Sequence, residues 1–175
     1  MRAIVYAMPG GAVGSAFKRY WEAVDSRQLA TSAQQYPPHC SLTGFATIPI
    51  ALLDEVDETL RVCVASTIGQ GPVTHPLLER RRQEGWLGLY VSCPGWAVLA
   101  QAFADSCESL DFEAVRLKSD LHLSLAYGLG FAAEEHLAIA REVFDGVDLT
   151  DATWQIGFWT VEGGRWHLRR AVDWC

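Results

Sequence analysis

Apolar positions along this chain follow two periods in turn. Residues 2 to 8 (Arg-Ala-Ile-Val-Tyr-Ala-Met) make a short strand-like run closed by Pro9-Gly10-Gly11, after which Val13, Phe17, Trp21 and Val24 recur at helical spacings of four, four and three. A polar stretch ending at Pro37-Pro38 leads into His39-Cys40-Ser41-Leu42-Thr43-Gly44-Phe45, a second strand. From Ile50 a helix buries Leu53, Val56, Leu60 and Val64. Its early turns carry Asp54, Glu55, Asp57 and Glu58, where the helix dipole favours acids. A break at Gly69-Gln70-Gly71-Pro72 closes this half.

The same order then repeats. Trp86 to Cys93 reads as strand and Pro94-Gly95 as turn, and Trp96, Leu99, Phe103, Cys107 and Leu110 form a helical stripe. Leu121 to Tyr127 is again strand, and Leu137, Ala140 and Phe144 mark a helix with Glu134 and Glu135 near its start. Two aromatic strands, Thr153 to Val161 and Arg165 to Trp174, make a hairpin across Gly163-Gly164. His39 and His122, like Ile4 and Leu87, stand 83 positions apart, so the first strand and the His-bearing strand keep one register in both copies. The pattern predicts an α+β fold built from a duplicated unit: one domain over residues 1–175, whose halves, approximately 1–82 and 83–175, form a pseudo-twofold pair of lobes.

Composition narrows the classes of function. At 175 residues, half of them apolar and 20% charged, the chain is one domain with a core of its own, burying roughly 70% of the unfolded surface. Apolar stretches fall well short of the roughly 20 residues a bilayer needs, and Met1 runs straight into a strand without a long apolar leader, so a cytoplasmic protein without membrane contact is expected. With a net charge of -7, lysine only at Lys18 and Lys118, and one basic run, Arg80-Arg81-Arg82, long-duplex nucleic acid is not an expected partner. Five scattered cysteines, Cys40, Cys63, Cys93, Cys107 and Cys175, without a C-x-x-C pair, read as reduced thiols. There is no phosphate loop, dinucleotide fingerprint or nucleophile elbow, and His75, His136 and His167 lack ligand-like spacing. No cofactor is expected.

What remains is a repeated polar pair. Side chains alternate along a strand, so His39 and Ser41 share one face and Cys40 and Leu42 the other, packed on helices; His122 and Ser124 repeat this against Leu123 and Leu125. Packing alone asks for no such pair twice. Two imidazoles with unperturbed pKa values of ~6.5 supply a neutral base and a cationic acid near pH 7, and hydroxyls donate to phosphate oxygens, so the set handles in-line attack at phosphorus without a metal. Zinc ligation by His39, Cys40 and His122 is disfavoured because alternation turns Cys40 away from His39.

Pro38-His39-Cys40-Ser41-Leu42 and Leu121-His122-Leu123-Ser124-Leu125 resemble the paired H-x-T/S-x signatures of the two-histidine (2H) phosphoesterase superfamily, within which the likeness is to the small cyclic phosphodiesterases of plants and fungi. The opening strand ending at Pro9 and a tyrosine, Tyr127, after the second motif add to it. Ser stands at both positions where many relatives have Thr, and Cys40 where Val or Ile is more usual. The resemblance implies two lobes, each with a mostly antiparallel sheet and helices outside it, around a central cleft. It also implies metal-independent hydrolysis of a ribose cyclic phosphate: a nucleoside 2',3'-cyclic phosphate opened to the 2'-phosphate, or an ADP-ribose 1'',2''-cyclic phosphate. Carried over, His122 activates the water, His39 protonates the leaving oxygen, and Ser41 and Ser124 hold non-bridging oxygens. Tyr127 adds a phosphate contact if the chain bends near Gly128, since strict alternation puts it opposite His122. Tyr6 and Trp86 are candidates for base stacking, and Arg80, Arg81 and Arg82 for drawing a phosphate to the rim. The expected partner is a small cyclic phosphate or an RNA 3' end met by a monomer. Alternatives are an RNA-end enzyme like the 2'-5' RNA ligases, a phosphodiesterase for a non-nucleotide sugar cyclic phosphate, and a non-catalytic phospho-nucleotide-binding module.

Overall fold

The structure, a computed structural model, describes residues 1–69 and 77–174. In chain order its elements are β1 (Arg2–Pro9), α1 (Gly11–Ser26), β2 (Cys40–Ser41), β3 (Ala46–Thr47), α2 (Leu53–Gly69), β4 (Leu77–Gln83), β5 (Trp86–Ser92), α3 (Pro94–Cys107), β6 (His122–Tyr127), α4 (Ala133–Phe144), β7 (Trp154–Glu162) and β8 (Arg165–Asp173). The break expected after Gly69 falls, from Gln70 on, outside the described residues, as do His75 and Cys175. Every strand pairing is antiparallel, and the strands form one sheet in the order β4-β5-β6-β2-β1-β7-β8, with β3 also beside β1. The sequence halves interleave in it: β4 from the first half pairs with β5, and β7 from the second pairs with β1.

Alternation makes this sheet two-sided. Ala3, Val5 and Ala7 of β1 join Cys40, Leu87, Leu89, Leu123, Ile156 and Phe158 in one hydrophobic core that also takes Val13 and Phe17 of α1, Val56 of α2, Trp96 and Leu99 of α3 and Ile139 and Phe144 of α4. All four helices thus feed a core on one side of the sheet. Ile4 and Tyr6, equally buried, stand outside that core cluster and face the other way. Among the described residues, no helix is long and apolar enough to cross a membrane.

Two local departures from the sequence reading have physical causes. The strand expected over His39 to Phe45 is cut down to β2, with β3 following only beyond Phe45, because the Val5 amide donates to the Thr43 hydroxyl (3.1 Å) rather than to a backbone carbonyl, and Thr43 is drawn into a bridge with Leu117. Pro94-Gly95 is the first turn of α3 rather than a separate turn, since proline at the start of a helix surrenders no hydrogen bond. The arginine run lies toward the end of β4, an edge strand. At Gly163 and Gly164 the hairpin turn has φ of +55° and +78°, the left-handed pair that a two-residue connection between twisted strands requires.

Candidate active site

The two His-x-Ser motifs are neighbours in the middle of the sheet. β2 and β6 pair antiparallel with Cys40 opposite Leu123, so on the face away from the helices His39 falls opposite Ser124, and Ser41 opposite His122. Diagonal positions of such a pair lie about 7–8 Å apart, which sets the spacing of the two histidine backbones. Cys40, Leu42, Leu123 and Leu125 are buried on the helix side as alternation requires. Burial pushes the Cys40 thiol up to about 12, which leaves it uncharged as well as turned away from His39. Among the described residues no three His, Cys, Asp or Glu side chains assemble as a ligand set.

Both imidazoles are fixed in the same way. His39 Nδ1 lies 2.7 Å from the Pro37 carbonyl oxygen, and His122 Nδ1 lies 2.9 Å from the Asp120 carbonyl oxygen, each two residues upstream. A carbonyl only accepts, so each Nδ1 carries its proton and donates. Nε2 is then the nitrogen that exchanges protons, as an acceptor in the neutral ring and a donor in the cation. Tyr6 stacks flat on the His39 ring at 3.8 Å, Tyr36 meets its edge at 5.9 Å, and Trp86 meets the His122 ring edge-on at 5.3 Å. Burial among these rings and the nearby His122 charge lower the His39 pKa below the usual histidine value, against the opposing effect of the Pro37 hydrogen bond.

The hydroxyls differ between the two motifs. The Ser41 hydroxyl makes no hydrogen bond with any described residue and faces a cavity of about 520 Å³, within the roughly 300–1,000 Å³ typical of small-molecule sites. Ser124 Oγ accepts from Trp86 Nε1 at 3.0 Å and donates to the Tyr127 hydroxyl at 2.6 Å. Its proton is thereby committed, and the hydroxyl left to donate into the cavity is that of Tyr127, which is 39% exposed and lines it.

Tyr127 reaches this face by a device other than a bend at Gly128. Between β5 and β6 the pairing steps from Leu87 opposite Ala126 to Gly88 opposite Ser124, leaving Leu125 as one extra residue on β6. Such a bulge inverts the alternation, so that Leu125 and Ala126 are both buried and Tyr127 rejoins the side of Ser124. Across the same pairing, Gly88 leaves room for the Trp86 indole, which lies over it on its way to Ser124.

The cavity brings together His39, Ser41, Tyr6 and Tyr127, while His122, Ser124 and Trp86 lie beside it on the same sheet face without lining it. Tyr6 is corrected as a stacking residue: at 2% exposure, under His39 and against Trp166, it has no face to offer a base. Arg82 is corrected as a rim residue, because it pairs with Glu134 of α4 away from the cavity, and the side chains of Arg80 and Arg81 lie outside the described residues. Residues that sequence reasoning missed line the cavity instead. Tyr36, Phe45 and Trp166 make an aromatic wall, with Trp166 5.1 Å from Tyr36 and 5.7 Å from Phe45, and Arg116 and Lys118 come from the segment ahead of β6. The signal for the last two was the Arg-Leu-Lys triplet itself, a third of the way into the gap between α3 and His122 from its far end, in a chain otherwise poor in lysine. No protein-family model matches this chain, and no curated protein matches it.

Proposed function

We propose that this protein is a metal-independent cyclic phosphodiesterase that opens a ribose cyclic phosphate, a nucleoside 2',3'-cyclic phosphate to the 2'-phosphate or an ADP-ribose 1'',2''-cyclic phosphate to a monophosphate. The observation that carries the reading is the duplicated hydrogen bond from Nδ1 to the carbonyl two residues back, which holds both rings in one tautomer with Nε2 as the proton-exchanging atom. Two such nitrogens on adjacent strands give an acid and a base for one in-line displacement: one takes a proton from water as its oxygen attacks phosphorus, and the other gives a proton to the ribose oxygen that leaves. Ser41 and the Tyr127 hydroxyl supply donors to the non-bridging oxygens, whose charge grows in the transition state. The pseudo-twofold reading goes with this function. An axis between β2 and β6 relates β1, β2 and β7 to β5, β6 and β4, each lobe taking its third strand from the other sequence half. The buried thiols of Cys40, Cys63 and Cys107, none in a disulfide, suit a reducing compartment such as the cytoplasm.

The test is a panel of ribose cyclic phosphates assayed in a strong chelator, with the position of the product phosphate read by phosphorus NMR. Formation of a monophosphate from at least one member is expected. Turnover of none, or only after a divalent metal is restored, would sink the proposal.

Two further outcomes follow from the geometry. kcat/KM is expected to be bell-shaped in pH, since one ring must be neutral and the other charged. Its acid limb has a midpoint below pH 6.5, because burial and the nearby His122 lower the His39 pKa and so favour His39 as the neutral ring that takes the proton from water, the reverse of the roles carried over from the resemblance. Tyr36→Ala opens His39 to water and moves that midpoint up toward 6.5; an unmoved limb would show that burial is not its cause. For the hydroxyls, Ser41→Ala and Tyr127→Phe each lower kcat by roughly 100-fold to 1,000-fold, and Ser41→Thr retains most of the rate. Adding Ser124→Ala to Tyr127→Phe costs little more, because Ser124 acts through Tyr127. Additive losses would mean that Ser124 touches the phosphate itself.

A further inference from the structure

The cavity beside His39 is larger than a cyclic phosphate ring needs, and its charge is opposite to that of the molecule as a whole. Against a net charge of -7, Arg116 and Lys118 both line it, both are exposed, and neither forms an ion pair with any described carboxylate. They are also held in place. Leu117 bridges to Thr43, the Gly44 amide donates to the Arg116 carbonyl at 2.7 Å, and the Lys118 amide donates to the Leu42 carbonyl at 3.1 Å. The segment therefore extends the β2–β6 pairing past the site, and on such extended backbone side chains two apart share a side.

The two-histidine chemistry proposed above gives the reacting phosphate His39, Ser41 and Tyr127 as partners and leaves these two cations of the same cavity without a role. Unpaired cations fixed in a concave site of an acidic protein draw anions to that site. An arginine fork beside a lysine point charge suits phosphate oxygens. The aromatic wall of Tyr36, Phe45 and Trp166 lines the same cavity and leaves room for a nucleoside along with the phosphates.

We infer that Arg116 and Lys118 form a second anion subsite, which takes a phosphate carried elsewhere on the same substrate, so that the preferred ribose cyclic phosphate bears a 5'-phosphate or 5'-phosphodiester group and is not a bare nucleoside. The inference rests on the cyclic-phosphate reading of the site. It makes the Arg116–Lys118 segment a specificity element rather than part of the proton-transfer machinery.

Three probes test it: adenosine 2',3'-cyclic phosphate, the same molecule with a 5'-phosphate, and a dinucleotide ending in the same cyclic phosphate. The wild-type protein is expected to prefer a 5'-phosphorylated or 5'-diester probe over the bare nucleoside by about 10-fold to 100-fold in kcat/KM, the range for one or two hydrogen bonds to a charged group. In the double variant Arg116→Gln, Lys118→Gln that ratio falls to within about twofold of one. Preference for the 5'-monophosphate assigns the subsite to small nucleotides, and preference for the dinucleotide assigns it to RNA ends. Equal rates on all three probes in the wild type, or a ratio unchanged in the variant, overturns the inference. If no probe is turned over at all, the phosphodiesterase reading has failed and calorimetry decides the subsite. Adenosine 2',5'-bisphosphate should then bind about 10-fold or more tightly than adenosine 2'-monophosphate to the wild type and equally to the variant; equal binding to the wild type overturns it.

Discussion

His39→Ala and His122→Ala are each expected to lower turnover by about 100-fold to 10,000-fold, the range for removing a positioned proton-transfer group. Alanine also deletes the Nδ1 hydrogen bond that ties each strand entry to Pro37 or Asp120, and at His39 it uncovers the buried face of Tyr6. The decisive variants are therefore His39→Asn and His122→Asn. An asparagine amide places a donor near the Nδ1 position and keeps the bond to the carbonyl, but has nothing where Nε2 stood. Each Asn variant should keep the wild-type circular dichroism spectrum and Tm within a few degrees while losing turnover as fully as the Ala variant. Turnover within tenfold of wild type in either Asn variant would falsify the assignment of Nε2 as the proton-exchanging atom. Because both rings serve one displacement, the double variant should be little worse than either single one.

The polar pairs were legible because they depend only on local alternation and on one offset between two copies. A period of two places His39 with Ser41 and His122 with Ser124 without knowledge of the rest of the chain, and the buried Cys40, Leu42, Leu123 and Leu125 bear out the other half of that alternation. The Leu125 bulge was not legible, since Leu125 and Ala126 are both apolar and fit a core on either parity; only the pairing with Leu87 and Gly88 shows which residue is extra. Trp166 was missed for a different reason. It lies opposite Val161 on β8 and reaches Tyr6 and Tyr36 because β7 pairs with β1 across the whole chain, a contact that no local pattern encodes. Arg116 and Lys118 reach the cavity through the Thr43–Leu117 bridge, again a long-range pairing. A division at the midpoint of the sequence likewise does not foresee that β4 pairs with β5 and β7 with β1, because a strand's own residues say little about which neighbour it will find.

Gly88→Ala is expected to be the most disruptive small change outside the motifs. An added Cβ there would run into the Leu123 carbonyl oxygen, which is backbone of β6, and into the Trp86 indole lying across the glycine. Neither can yield cheaply. Moving the carbonyl pulls β6 away from β5 between His122 and Ser124, and moving the indole breaks its 3.0 Å bond to Ser124 and its edge contact with His122. Overpacking of this kind costs about 1–3 kcal/mol, or roughly 2–12 °C in Tm for a chain of this size. Turnover should fall further than stability accounts for, because the displaced indole releases Ser124 from the chain that orients Tyr127. Trp86→Phe separates the two effects: it removes the indole N–H without adding bulk, and should lower kcat with a smaller change in Tm. Wild-type Tm and turnover in Gly88→Ala would mean that Trp86 does not cross Gly88, and with it the support for Ser124 and Tyr127 would be lost.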